Sequence, residues 1–409
     1  MSVVKIYPSV LSGRILIPPS KSAAHRAVIC SALANGPDVF PDGAFLSKDI
    51  AATRLAMNAI HNRRGVEKIR IHCGESGSTL RFLIPIAAAL GIRAEFVGQG
   101  RLPERPIGVY LDCLPKHGVL CRTEGGLPLS IEGKLSPGEF VLPGNVSSQF
   151  ITGLLLALPL LDGDSRITLS SPLESAGYVA LTIAVMRDFG VTVETVENGW
   201  NIRGGQAYIP RNYRVERDWS QAAFFLAAGA LGGRLELEGL NSSSCQGDRA
   251  AEQLFQAFGA KIEWNGSLLS VSRNQINGMR IDASQIPDLV PILAATAALG
   301  KGQTRIFNAQ RLRIKESDRL EAMANGLNTL GGKVRQTQDG LLIDGVERLH
   351  GGTVDGCNDH RIVMALAIAA LNADGCVTIS DAQSIDKSYP TFFEDYNRLG
   401  GNADVVHMG

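Results

Sequence analysis

Residues 21–36 read KSAAHRAVICSALANG, with a polar head holding Lys21, Ser22, His25 and Arg26, an alanine-rich apolar body and a glycine stop. The pattern returns in SGSTLRFLIPIAAALG (76–91), SSQFITGLLLALPLLDG (147–163), SQAAFFLAAGALGG (220–233), DLVPILAATAALGKG (288–302) and NDHRIVMALAIAALNADG (358–375). Six copies spaced 55 to 73 residues apart describe one repeated unit. Their bodies are apolar on nearly every face, so these helices are expected to be buried inside a domain. Amphipathic helices follow them and end in glycine turns that run into strands, as in 178–194, 248–263 and 316–335, where Gly190, Gly259 and Gly331-Gly332 mark stops that need positive φ. Short runs such as GRILIP (13–18), KIRIHCG (68–74), SRITLSS (165–171), GRLELEG (233–239), TRIFNA (304–309) and CVTISDA (376–382) read as strands. The outcome is an α/β (α+β) chain of six βαβ-like units, and 409 residues exceed one core, so two similar domains of three units each are expected.

Composition narrows the function. Forty basic residues balance forty acidic ones, so no global field recruits nucleic acid or a charged membrane. Seven cysteines form no CxxC pair, and their odd number fits reduced thiols in a cytoplasmic protein. No HExxH or paired Cys/His spacing is present, so no metal is expected. The longest apolar run, 150–161, is too short for a membrane span and contains Pro159, and the N-terminus lacks signal-peptide organisation. There is no P-loop. An SxxK at Ser384–Lys387 has neither of its usual companion motifs.

The helix heads carry the chemistry. Ser22, Ser76, Ser147 and Asp359 are placed to cap backbone N–H groups. Capping does not explain Lys21, Arg26, Arg81, Arg319 and Arg361, because a cation at a helix N-terminus opposes the macrodipole. A bound anion reverses that penalty, so phosphates or carboxylates are the expected ligands. Arg105, in the proline-stiffened RLPERPIG (101–108), could fork onto such a group. From charge alone, RLRIKESDRL (311–320) reads as a solvated helix start with i,i+3 or i,i+4 ion pairs.

Nine segments in order, PPSKSAAHRA (18–27), GESGSTLRFL (74–83), LPERPIG (102–108), NVSSQFITGLL (145–155), RDWSQAAFFLA (217–227), QIPDLVPILA (285–294), RIKESDRL (313–320), CNDHRIVMA (357–365) and DKSYPTFF (386–393), resemble the 5-enolpyruvylshikimate-3-phosphate synthase family of enolpyruvyl transferases. The resemblance implies two domains, each of three βαβαββ units around buried parallel helices. It places 1–18 with 217–409 in one domain and 19–216 as an inserted second one, with the active site in the cleft between them. It implies transfer of the enolpyruvyl group from phosphoenolpyruvate to the 5-hydroxyl of shikimate 3-phosphate, with release of phosphate and no cofactor.

Carried over, Asp288, Glu316 and Lys21 are catalytic. Lys21, Ser22, Arg26, Ser147, Ser148, Gln149, Ser175, Asp288 and Lys315 bind shikimate 3-phosphate, with Tyr178 beside its ring. Lys21, Gly77, Arg105, Gln149, Arg319, Arg361 and Lys387 bind phosphoenolpyruvate, where glyphosate is expected to compete. The expected partners are small-molecule substrates alone, with no nucleic acid or membrane, and the chain is expected to be a monomer. Glu75, Phe82 and Arg311 depart from the family's common pattern. The rivals are the UDP-N-acetylglucosamine enolpyruvyl transferase, which carries a reactive cysteine where this chain has none between Cys73 and Cys113, and a non-catalytic anion-binding protein of the same fold.

Overall fold

A computed structural model describes residues 2–40, 46–62 and 66–407. The chain divides into two compact units, Met1–Ser20 with Glu216–Gly409, and Lys21–Val215.

The first unit holds three four-stranded sheets. One repeat shows the plan without interruption. Strand Arg280–Asp282 leads through helix Val290–Ala298 to the parallel strand Gln303–Phe307, and then through helix Arg319–Thr329 to the antiparallel pair Lys333–Thr337 and Gly340–Asp344. The other two sheets need the N-terminal residues. Ser2–Tyr7 pairs antiparallel with both Val377–Ile379 and Asn402–His407, and Ser12–Leu16 pairs parallel with Arg234–Glu238.

The second unit repeats the plan twice. One sheet contains Ile69–His72, Ala94–Val97, Leu129–Glu132 and Leu120–Arg122, and the other Glu139–Leu142, Ser165–Leu169, Gly199–Ile202 and Glu194–Val196. Its remaining repeat has the two helices Lys21–Leu33 and Lys48–His61 but no sheet among the described residues.

Burial follows the apolar bodies. Every residue of Trp219–Leu231, Val290–Ala298 and His360–Ala369 is buried, as are twelve of the thirteen in Gly77–Ala89. Phe225 packs its ring 5.9 Å from that of Phe392 and 6.2 Å from that of Tyr389, tying an inner helix to the last helix, Phe392–Arg398. The amphipathic helices end as expected at Gly190, Gly259 and Gly331, with φ of +83°, +113° and +82°.

Two close approaches set helix spacing. A Cβ at Gly326 would meet Leu366 at 3.0 Å. One at Gly153 would collide with the Arg81 carbonyl and the Tyr110 hydroxyl. Pro85, inside Gly77–Ala89, has no N–H for the carbonyl four residues earlier, that of Arg81. The buried Tyr110 hydroxyl takes its place at 2.8 Å from that oxygen, and it also lies 2.9 Å from the Phe150 carbonyl.

Candidate functional site

In the second unit, polar contacts join the helix heads. Lys21 is the first residue of its helix, and its Nζ lies 2.8 Å from Asp49 Oδ2. Behind it the buried His25 Nδ1 meets Thr53 Oγ1 at 2.7 Å, and Thr53 meets Thr79 Oγ1 at 2.6 Å. Burial, with the Lys21 and Arg26 charges, holds the His25 pKa well below its ordinary value, so the ring is neutral. Arg26 donates to Thr182 Oγ1 (2.7 Å), the Ser22 carbonyl (2.6 Å), the Tyr178 carbonyl (3.0 Å) and Thr152 Oγ1 (3.3 Å). It thereby bonds three helices together.

Ser147 caps helix Ser148–Ala157 through Gln149 N at 3.3 Å, and Ser148 is buried in its first turn. Ser175 precedes Ala176–Asp188 with φ +58° and makes no side-chain cap. Gly77 sits where a Cβ would stand 2.8 Å from Nη1 of both Arg81 and Arg105, so a side chain there would push the two guanidiniums back from this turn.

In the first unit, acids and bases interlock around Arg319, whose side chain is 2% exposed. Its Nη1 lies 3.0 Å from Asp288 Oδ1, its Nη2 2.8 Å from Glu316 Oε2 and its Nε 2.8 Å from Asp359 Oδ2. Arg361 Nη2 lies 3.0 Å from Asp288 Oδ2, Arg361 Nη1 donates to the Asp288 carbonyl at 3.0 Å, and Lys315 Nζ stands 4.0 Å from Asp288 Oδ1. Burial alone would raise the Asp288 pKa, but Arg361, Lys315 and Arg319 outweigh it and hold the carboxyl well below the usual range. Asp359 is fully buried. It caps helix His360–Ala369 through Arg361 N at 2.9 Å and accepts from Ser317 Oγ at 3.0 Å. Lys387 Nζ donates to the Asn358 carbonyl at 2.5 Å. Asp248, hydrogen-bonded to Ser220, is pushed up to about 6 by burial and then by the Asp288 charge.

The sequence-predicted residues therefore fall into two groups, one in each unit. Lys21, Ser22, Arg26, Gly77, Arg105, Ser147, Ser148, Gln149, Ser175 and Tyr178 belong to the Lys21–Val215 unit, and Asp288, Lys315, Glu316, Arg319, Arg361 and Lys387 to the other.

Two expectations need correction. Ser76, Ser147 and Asp359 cap their helices, whereas Ser22 lies inside the first turn because the helix begins at Lys21. The 311–320 segment does form the i,i+3 pair Glu316–Arg319, but Arg311 and Arg319 are buried: Asp288 and Asp359 supply Arg319 with inward counter-charges, and Arg311 donates to the Ser284 carbonyl at 2.6 Å, partners that charge counting along the chain does not reveal.

Sequence reasoning missed Asp49, Asp248 and the ion-pairing half of Asp359. Their partners lie 28 to 40 residues away, so no local spacing marks them. Among the described residues, no helix is long and apolar enough to cross a membrane and no cluster could hold a metal ion.

Comparison with known proteins now bears on this geometry. The family model for EPSP synthase (3-phosphoshikimate 1-carboxyvinyltransferase) matches residues 7–396. The 3-phosphoshikimate 1-carboxyvinyltransferase of Clostridium acetobutylicum is 45% identical over 430 residues, and that of Clostridium novyi 43% identical over 437, each alignment covering 100% of both chains. Among solved structures, the EPSP synthase of Acinetobacter baumannii superposes with a TM-score of 0.80 at 26% identity, covering 100% of both chains. The enolpyruvyl transferase NikO of Streptomyces tendae reaches a TM-score of 0.77 at 19% identity, covering 100% of this chain and 99% of that one, a likeness of fold alone.

Proposed function

The chain belongs to the EPSP synthase family and transfers the enolpyruvyl group of phosphoenolpyruvate to shikimate 3-phosphate in the shikimate pathway, and from that premise we propose how its residues divide the work. The observation that supports the division is the Asp288–Arg319–Arg361–Glu316 cluster, in which two carboxylates share two guanidiniums.

Asp288 takes the proton of the 5-hydroxyl as its oxygen bonds to the central carbon of phosphoenolpyruvate. Glu316 delivers a proton to the methylene carbon, with Lys21 offsetting charge beside it. The tetrahedral adduct then returns a methyl proton to the Glu316 carboxylate as the carbon–oxygen bond to phosphate breaks, restoring the double bond, and the departing phosphate takes up the proton held by Asp288, so both acids regain their starting states. Two phosphates and two carboxylates must be neutralised meanwhile. Lys21, Arg105, Arg319, Arg361 and Lys387, with Gln149 and the Gly77 turn, hold phosphoenolpyruvate and stabilise the departing phosphate. Lys21, Ser22, Arg26, Ser147, Ser148, Gln149, Ser175 and Lys315 hold shikimate 3-phosphate.

Asp288 and Glu316 accept hydrogen bonds from the same arginines. The carboxylate and phosphate of phosphoenolpyruvate compete for those donors, so binding loosens the hold on Asp288 and restores its strength as a base. Glyphosate, a phosphonate, competes for the same cations. The same reading makes the protein a monomer of the cytoplasm, a compartment that its odd number of cysteines with no CxxC pair fits.

The test is turnover by the full chain. Asp288→Asn and Glu316→Gln should each lower kcat about 10²- to 10⁴-fold while shikimate 3-phosphate affinity changes far less, and Glu316→Gln should also suppress solvent deuterium exchange into the methylene of phosphoenolpyruvate. A folded variant that turns over within a few-fold of the parent removes its residue from the role.

A further inference from the structure

Arg81 has no substrate role in the assignment above, yet its guanidinium is buried and committed at both ends. Its Nη1 donates to Gln149 Oε1 at 2.7 Å and its Nη2 to the Pro106 carbonyl at 2.8 Å, while its carbon lies 5.1 Å from the centre of the Phe150 ring. A guanidinium can only donate, so the Gln149 amide must turn its oxygen toward Arg81. The amide nitrogen then faces the other way, where it donates to Ser78 Oγ at 3.0 Å. The second contact reaches the carbonyl of Pro106, the residue that follows Arg105, whose own guanidinium lies beside Arg81 at the Gly77 turn. The backbone of Arg81 is anchored as well, because Tyr110 supplies the hydrogen bond that Pro85 cannot.

We propose that Arg81 is a positioning residue for the transfer, one fork setting the orientation of the Gln149 amide and the other fixing the loop that carries Arg105. The inference rests on the assignment of Gln149 and Arg105 to the substrates. Lysine cannot replace it, since one ammonium on a flexible stem does not span two acceptors in fixed directions.

Steady-state kinetics of Arg81→Lys, Gln149→Ala and the double variant, made in the full chain with shikimate 3-phosphate and phosphoenolpyruvate, test it. Arg81→Lys should raise KM for phosphoenolpyruvate and lower kcat/KM about 10²-fold, the scale on which misplaced groups act. Because Arg81 works partly through Gln149, the loss in the double variant should fall short of the product of the single losses by about tenfold or more. Losses that multiply, or an Arg81→Lys enzyme within a few-fold of the parent, overturn the inference. If Gln149→Ala retains parental kcat/KM, the assignment of Gln149 itself fails; if Gln149→Ala is impaired while Arg81→Lys is not, only the positioning role fails. Should Arg81→Lys not fold, Arg81→Gln, which keeps one amide donor, is read in the same cycle.

Discussion

Two aspartates of one unit, Asp248 buried and Asp288 half-buried, respond to pH in opposite senses. Asp248 has its pKa pushed up to about 6 by burial, against about 3.9 in an unfolded chain, so between roughly pH 4 and 6 the folded state holds the extra proton. Stability therefore falls as pH rises through that window, by about 3 kcal/mol for a shift of this size, and is level above it. Asp288 has a depressed pKa, so its contribution is present above about pH 4 and is lost as pH drops below it. Thermal melts of Asp248→Asn should show the pH 4–6 slope flattened and the variant gaining on the parent near pH 8. An unchanged slope would assign the effect to another group. At this scale the cations of the site were legible in the sequence, because Lys21, Arg319 and Arg361 stand at helix heads where a lone positive charge is unfavourable. Their counter-charges were not, since Asp49 meets Lys21, and Asp359 meets Arg319, only after folding.

Helices built to be apolar all round declare themselves, and so do the glycines that end their amphipathic partners. That is why the repeat could be read from 21–36 outward. Proline inside such a helix is less transparent. Pro85 has no N–H to give the helix ladder, and the structure keeps Gly77–Ala89 continuous by bringing Tyr110, from helix Gly108–Cys113, to the Arg81 carbonyl. Tyr110→Phe retains the ring packed against Phe150 at 4.9 Å and removes the hydroxyl alone, leaving a buried carbonyl unsatisfied. A loss of about 1–3 kcal/mol is expected in denaturant unfolding, with no change in m-value. Unaltered stability would mean that another group serves that carbonyl. The element-scale limit of the sequence reading lies beside Lys21–Leu33, where the helix repeat implies a third sheet for this unit and none is formed among the described residues.

At the scale of the molecule, chain order and structural unit part company. Ser2–Tyr7 lies between Val377–Ile379 and Asn402–His407, so the opening residues complete a sheet whose other strands come from the chain's final sixty residues or so. Ser12–Leu16 joins Arg234–Glu238, on the far side of the whole Lys21–Val215 insertion. Val4, Ile6, Leu11 and Ile15 are fully buried in the core of that unit. The inserted unit has its own core, with Phe82, Phe96, Phe140, Phe150 and Phe189 among its buried side chains, and among the described residues neither of its two sheets borrows a strand from outside it. A segment with its own core and complete sheets has what independent folding requires. Residues 21–215 expressed alone should therefore unfold cooperatively, with a calorimetric transition of their own. Deleting residues 2–7 from the full chain should abolish or sharply lower the transition of the other unit while leaving this one in place. The deletion removes a central strand and exposes two edges, and the insertion has no part in that sheet. A disordered 21–215 fragment, or a deletion that lowers both transitions equally, would show that the two units do not fold as separate bodies.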